Sequence, residues 1–238
     1  MRRTGRKKTI SEKSLYPTVE DWLKKYHHCF KTVSDTGLKF SRIDVVGVRD
    51  TGGDLSEEIE IISVEVKKGR GKFATACGQA SGYKVYANRV YLADVRDNKF
   101  STEEIAIANH LGIGLIQIKG RKCTEILTSP YYKPLTSTHL QLLENLDLRL
   151  CQLCGCFFET GEIDKSFKKF TKVDVRTAVE KGKGLIFWNY AVGKRKIEAG
   201  LHPSDAYETY ERRYLCPECV VNFNDWVVSI INKENKGQ

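Results

Sequence analysis

Three ionisable residues in the first third of the chain have the types and spacing that phosphodiester hydrolysis needs. Glu65 and Lys67 are separated by one residue in the run Ile59-Glu-Ile-Ile-Ser-Val-Glu-Val-Lys67. On a strand, residues two apart emerge from the same face, so Glu65 and Lys67 share one side while Val64 and Val66 point into a core. Asp44 belongs to the preceding apolar run, residues 40–48, from which it can lie across the ladder from them. Two carboxylates offer hard oxygen ligands to a divalent cation such as Mg2+. A lysine beside them can orient or deprotonate a water and neutralise charge on a phosphate in flight. An isolated Glu-x-Lys is ordinarily a solvated pair. Here it follows Ser41-Arg-Ile-Asp44-Val-Val-Gly47 and precedes a basic, glycine-containing loop, residues 68–72, and then Gln79-Ala-Ser-Gly-Tyr83. Gln79 and Tyr83, four apart, share a helical face that can lean over one end of the strands.

The elements that must position these groups follow from periodicity. Leu15, Val19, Trp22, Leu23 and Tyr26 recur at three- and four-residue intervals and predict a first helix. Ser11 can cap it, although Pro17 favours a start nearer Tyr16. Residues 34–37 read as a turn. Residues 40–48 and 59–67 read as two strands joined by a polar, glycine-rich turn at 51–54, hence an antiparallel hairpin. Residues 73–87 read as a helix, 90–95 as a buried strand, 102–111 as a helix and 113–118 as a strand. This order describes an α/β fold with a mixed sheet flanked by helices. Residues 140–150 look helical, and the punctuation at 130–134 marks a domain boundary. The expected organisation is a basic arm at 1–10, a larger domain at 11–130 and a smaller C-terminal domain at 135–238.

In residue order and spacing the first half of the chain, 11–120, resembles the PD-(D/E)XK nuclease superfamily, which has the restriction-endonuclease-like fold. The matching residues are Asp44, then Glu65-Val66-Lys67, then Gln79 and Tyr83, with 89–93 and 112–116 similar as well. Ile43 stands where the superfamily motif has proline. The resemblance implies a Mg2+-dependent (or Mn2+-dependent) DNA endonuclease. In it Asp44 and Glu65 ligate the metal with help from the Val66 carbonyl, and Lys67 serves the attacking water. Gln79 would support the site or touch the DNA backbone. Such families often add a glutamate from the first helix: Glu12, in phase with the apolar stripe, is preferred to Glu20, which sits to one side of it. The resemblance also allows a homodimer, since many nucleases of this fold cut both strands by pairing two active sites.

A second kind of chemistry is written in the cysteines. Cys151-Gln-Leu-Cys154 and Cys216-Pro-Glu-Cys219 are two Cys-x-x-Cys pairs. Each pair can form a knuckle presenting two thiolates, and two knuckles complete a tetrahedral structural Zn2+ site. Gly155 after the first pair and Pro217 within the second suit the tight turns involved. The 61 residues between Cys154 and Cys216 would form a folded insertion closed by the metal. Cys156 is close enough to substitute for Cys154, and His202 is a weaker candidate. Cys29, Cys77 and Cys123 read as small buried residues.

Charge points to the partner. The chain carries 39 basic and 30 acidic residues, a net charge of +9, which favours an anionic partner, nucleic acid before a membrane surface. Residues 165–200 hold ten basic residues against three acidic ones, interleaved with Phe167, Phe170, Phe187, Trp188 and Tyr190, a composition suited to phosphate contact and stacking. No apolar stretch approaches the length of a membrane helix. The basic residues of 1–8 have no apolar run behind them, so no secretory signal is expected. Together with eight cysteines, this suggests a reducing, cytoplasmic setting. Beside the DNA endonuclease stand two alternatives: an RNA-directed nuclease, and a non-catalytic, zinc-containing nucleic-acid-binding protein on a nuclease-like scaffold.

Overall fold

A computed structural model of the 238-residue chain describes residues 11–38, 41–52, 58–69, 72–151, 153–159, 180, 185–189 and 211–234. The basic arm at 1–10, most of the basic stretch at 165–200 and His202 lie outside the described residues. The chain divides into two units, Met1–Leu146 and Asp147–Gln238.

The first unit opens with a 3-10 turn, Glu12–Leu15, capped by the Ser11 hydroxyl, which accepts from the Ser14 amide. The helix proper, α1 (Tyr16–Tyr26), starts at Tyr16 because Pro17 is tolerated only in a first turn, where its missing N–H has no partner to lose. Then follow β1 (Lys31–Leu38), β2 (Ser41–Asp50), β3 (Ile59–Lys67), α2 (Phe73–Gly82) and β4 (Arg89–Val95). After these come α3 (Thr102–His110), β5 (Gly114–Lys119), β6 (Lys122–Leu127) and α4 (Thr136–Asn145). The six strands form one mixed sheet in chain order: β3, β4 and β5 are parallel, and the other neighbours are antiparallel.

Side-chain alternation assigns the two faces. Val45, Ile62, Val64, Val66, Tyr91, Ala93, Ile116 and Ile118 form one cluster with Leu15, Tyr16, Val19, Trp22 and Leu23 of α1 and its preceding turn. The crossovers β3–α2–β4 and β4–α3–β5 join adjacent parallel strands in the same direction, so a common handedness places α2 and α3 together on the other face. Asp44, Glu65 and Lys67, one residue out of phase with the valines, face that second side. Strands covered on both faces lose their alternation, and all seven inner residues of β3 are buried.

The secondary elements differ from the sequence reading in four places. Residues 34–37, expected as a turn, belong to the edge strand β1. The strand β6 closes the other edge and was not expected at all. The helix expected at 73–87 gives way at Gly82 to a 3-10 turn, Tyr83–Val85. The helix expected at 140–150 is α4, shifted toward the N-terminus; Asp147, with φ of 58°, ends the helical path before β7 (Leu148–Leu150). α4 belongs to the first unit, beyond the boundary expected at 130–134. Tyr132 and Leu135 donate backbone hydrogen bonds to Asn88 and Val85, and His139 Nδ1 donates to the Tyr86 carbonyl at 2.9 Å.

Among the described residues, the second unit holds two small antiparallel pairs, β7 with β8 (Phe157–Glu159) and β9 (Leu185–Asn189) with β10 (Glu211–Leu215), followed by α5 (Pro217–Glu234). Among the described residues, no helix is long and apolar enough to cross a membrane.

Candidate metal centres and the surrounding polar network

The first centre forms where β2 and β3 part. Their pairing runs from Asp50↔Ile59 to Val45↔Val64. One step further would set Asp44 beside Glu65. There the strand-to-strand ladder ends, and the Asp44 side chain takes over: its Oδ2 accepts the Val66 N–H at 2.8 Å. Its Oδ1 accepts the Tyr16 hydroxyl at 2.6 Å. Glu65, 4% exposed, is served in the same way. Lys67 Nζ stands 2.6 Å from its Oε1, and the Tyr83 hydroxyl reaches its Oε2. Each of the four carboxylate oxygens therefore has one donor in reach, the Tyr83 proton being shared with the Arg42 carbonyl at 2.8 Å. A carboxylate oxygen carries two lone pairs, so a second is left that could face a cation.

Burial raises the Glu65 pKa, and the Asp44 charge adds to it, against the stabilising hydrogen bonds from Lys67 and Tyr83. Burial works the other way on Lys67, but contact with Glu65 and the charges of Glu12 and Asp44 overcome it, so its pKa is raised and it is a cation at neutral pH. The Tyr16 and Tyr83 phenols are held protonated by burial and by their carboxylate partners, which fixes both as donors. Asp35, on the edge strand, is tied to Lys13 at 2.6 Å and to Arg42 at 2.7 Å.

The structure thus brings Asp44, Glu65, the Val66 backbone and Lys67 together. Glu12 lies in the 3-10 turn rather than on the helix, half-buried, and its charge acts on both Lys67 and Tyr16. Among the described residues, the only ligating side chains in a set of three or more with donor atoms all within 4.8 Å of one another are cysteines, so Glu12, Asp44 and Glu65 do not form such a set. Gln79 is exposed on α2 and makes no hydrogen bond to the acid pair; Tyr83, the other half of that motif, does. Tyr16 was not singled out in the sequence, where a tyrosine at the head of an amphipathic helix reads as core. The loop after Lys67 is anchored by Asp94, whose Oδ1 accepts the Gly69 N–H at 2.7 Å. Glycine is required there: φ is 79°, and a Cβ would stand 2.4 Å from the Val95 carbonyl oxygen.

The second centre is the cysteine quartet. Cys151, Cys154, Cys216 and Cys219 place their sulfurs all within 4.8 Å of one another. Four sulfurs at about 2.3 Å from a tetrahedral zinc would stand about 3.8 Å apart, and Cys154 and Cys216 are 3.8 Å apart. The first knuckle is the turn between β7 and β8. The Cys151 N–H donates to the Cys156 carbonyl, and the Gly155 N–H donates to Cys151, with Gly155 at φ of 76°. The second knuckle joins β10 to the first turn of α5, where Pro217 is the first helical residue. Backbone N–H groups already point at sulfur: Cys216 N donates to Cys151 Sγ at 3.3 Å and Cys219 N to Cys216 Sγ at 3.4 Å.

Burial raises the Cys216 and Cys219 thiols. Against its own burial, hydrogen bonds from Cys156, Cys219 and Cys151 bring Cys154 down to about 7. Sulfurs this crowded cannot all ionise without a counter-cation, so the quartet can hold a metal ion such as zinc. Cys156 lies outside the quartet, 3.2 Å from Cys154. Cys29, Cys77 and Cys123 are buried, with thiols raised by desolvation.

No protein-family model matches the chain, and no curated protein matches it. A solved structure of a protein of unknown function from Silicibacter pomeroyi is similar over 58% of this chain and 86% of that one, at 20% identity and a TM-score of 0.44.

Proposed function

We propose that the first unit is a Mg2+-dependent nuclease that hydrolyses DNA phosphodiester bonds, built on the restriction-endonuclease-like fold of the PD-(D/E)XK superfamily. In this reading the second unit is a zinc-stabilised module. The observation that carries the reading is the fork between β2 and β3. Asp44 accepts the Val66 N–H there, with the Lys67 ammonium 2.6 Å from Glu65 on the same face.

Asp44 and Glu65, with the Val66 carbonyl, would hold the cation. The donor set is hard oxygen throughout, as Mg2+ prefers. When bound, the cation supplies Lewis acidity toward the phosphoryl oxygens and lowers the pKa of a coordinated water. Lys67, cationic and 20% exposed, faces the entering phosphate, where it orients the attacking water and offsets charge on the phosphoryl oxygens. Water attacks phosphorus in line and gives up a proton to solvent, while the bond to the departing ester oxygen breaks and that oxygen takes up a proton from solvent. Tyr16, Tyr83 and the Val66 N–H hold the acids in place throughout.

The test is cleavage of duplex, branched and single-stranded DNA, with RNA as competitor, in Mg2+ or Mn2+. The parent is expected to cleave DNA, and Glu65→Ala and Lys67→Ala to lose about a hundredfold or more. Variants that cleave as well as the parent would sink the assignment. A parent that binds nucleic acid with steep salt dependence yet cuts nothing would favour the non-catalytic binder.

A further inference from the structure

We infer that Tyr16 is a positioning residue that sets the divalent-cation affinity of the acid pair by holding Asp44 in its ligating orientation. The inference rests on the nuclease reading of that pair and deepens it. Tyr16 is the first residue of α1, on the sheet face opposite the one that Asp44 and Glu65 occupy. It is 6% exposed and packed among Leu15, Val19 and Trp22. A tyrosine there could serve packing alone. Its hydroxyl nonetheless passes the end of the sheet to donate to Asp44 Oδ1 at 2.6 Å.

Two donors from unrelated parts of the fold therefore clamp one carboxylate. The Val66 N–H fixes Oδ2 from the neighbouring strand, and Tyr16 fixes Oδ1 from the helix. With both oxygens pinned, the carboxylate plane cannot turn, and its free lone pairs stay aimed at the fork. Without Tyr16 the group is held at one oxygen and can rotate about it, so part of its orientation must be fixed at the moment a cation binds. Hydrogen bonds of this outer kind typically change metal affinity by about 10–100-fold.

Tyr16→Phe keeps the ring in the core and removes only the donor. Mn2+ binding by the full chain, read by electron paramagnetic resonance, should weaken about tenfold. The Mg2+ concentration for half-maximal DNA cleavage should rise by a similar factor, with the rate at saturating metal within about threefold of the parent. Val19→Ala, which loosens the same core without touching Asp44, should leave Mn2+ affinity within about twofold and so separates positioning from general loosening. Equal Mn2+ affinity in Tyr16→Phe and parent would overturn the role of Tyr16 and leave the nuclease reading intact. A parent that binds no Mn2+ would overturn both.

Discussion

Replacing Asp44 separates its work in the fold from its work at a cation. In Asp44→Ala, the Val66 N–H and the Tyr16 hydroxyl both lose their acceptor, and both residues are buried, at 0% and 6% exposure. A buried donor left unpaired costs about 1–3 kcal/mol. Relief of the repulsion between Asp44 and Glu65 offsets part of the sum, which leaves a net loss of about 2–4 kcal/mol. Asp44→Asn retains a carbonyl oxygen for Val66, and the Tyr16 hydroxyl can turn to accept from the new amide. Its cost should be about 1 kcal/mol. Both variants lose the carboxylate charge, so both should lose Mg2+ affinity, while only the alanine variant loosens the first unit. Hydrogen exchange of peptides spanning 11–26 and 59–67 reads that unit alone. At tenfold per 1.4 kcal/mol, protection should fall about 30- to 700-fold in Asp44→Ala and about fivefold in Asp44→Asn. Alanine and asparagine variants with equal protection would refute the reasoning, whether both match the parent or both collapse.

Three further outcomes follow from other parts of the structure. Glu60, 3% exposed, is shared by Arg49 at 3.0 Å and Arg89 at 2.5 Å; Glu60→Ala should cost about 3 kcal/mol in urea unfolding, because breaking a buried pair strands its partners. His27 and His139 have pKa values lowered mainly by burial, so below about pH 6.5 the unfolded chain takes up protons before the folded one does, and stability falls until the folded values are passed. The double variant His27→Gln/His139→Gln should flatten that slope between pH 7 and pH 5.5 in thermal denaturation. One zinc per chain is expected by metal analysis, and a chelator should abolish hydrogen-exchange protection in α5 and β7–β8 while leaving β3 protected, with Cys151→Ser mimicking the chelator.

How much of this was legible in the sequence depended on burial. The central strand β3 announced itself because its neighbours cover both faces, and the two-residue step from Glu65 to Lys67 survives any error in strand ends. The cysteine knuckles were legible because their spacing is local. β1 was not: its residues 31–37 are half-buried, and Lys31-Thr-Val-Ser-Asp-Thr-Gly-Leu38 lies at an edge and carries turn-forming residues, with Asp35 at φ of 55°. β6 lies at the other edge, and Cys123 is its one fully buried residue. Edge strands need little apolar alternation, so periodicity passes over them. Tyr16 escaped for a different reason. Its packing is ordinary, and only the fold brings its hydroxyl round the sheet to an aspartate 28 residues away.

The most direct measurement is an anomalous difference map from crystals of the full chain soaked in Mn2+. One peak is expected at the β2–β3 fork, with oxygens of both Asp44 and Glu65 and the Val66 carbonyl at about 2.0–2.2 Å. Ordered carboxylates with no peak between them, at a Mn2+ concentration that fills other acidic sites on the molecule, would contradict the nuclease assignment.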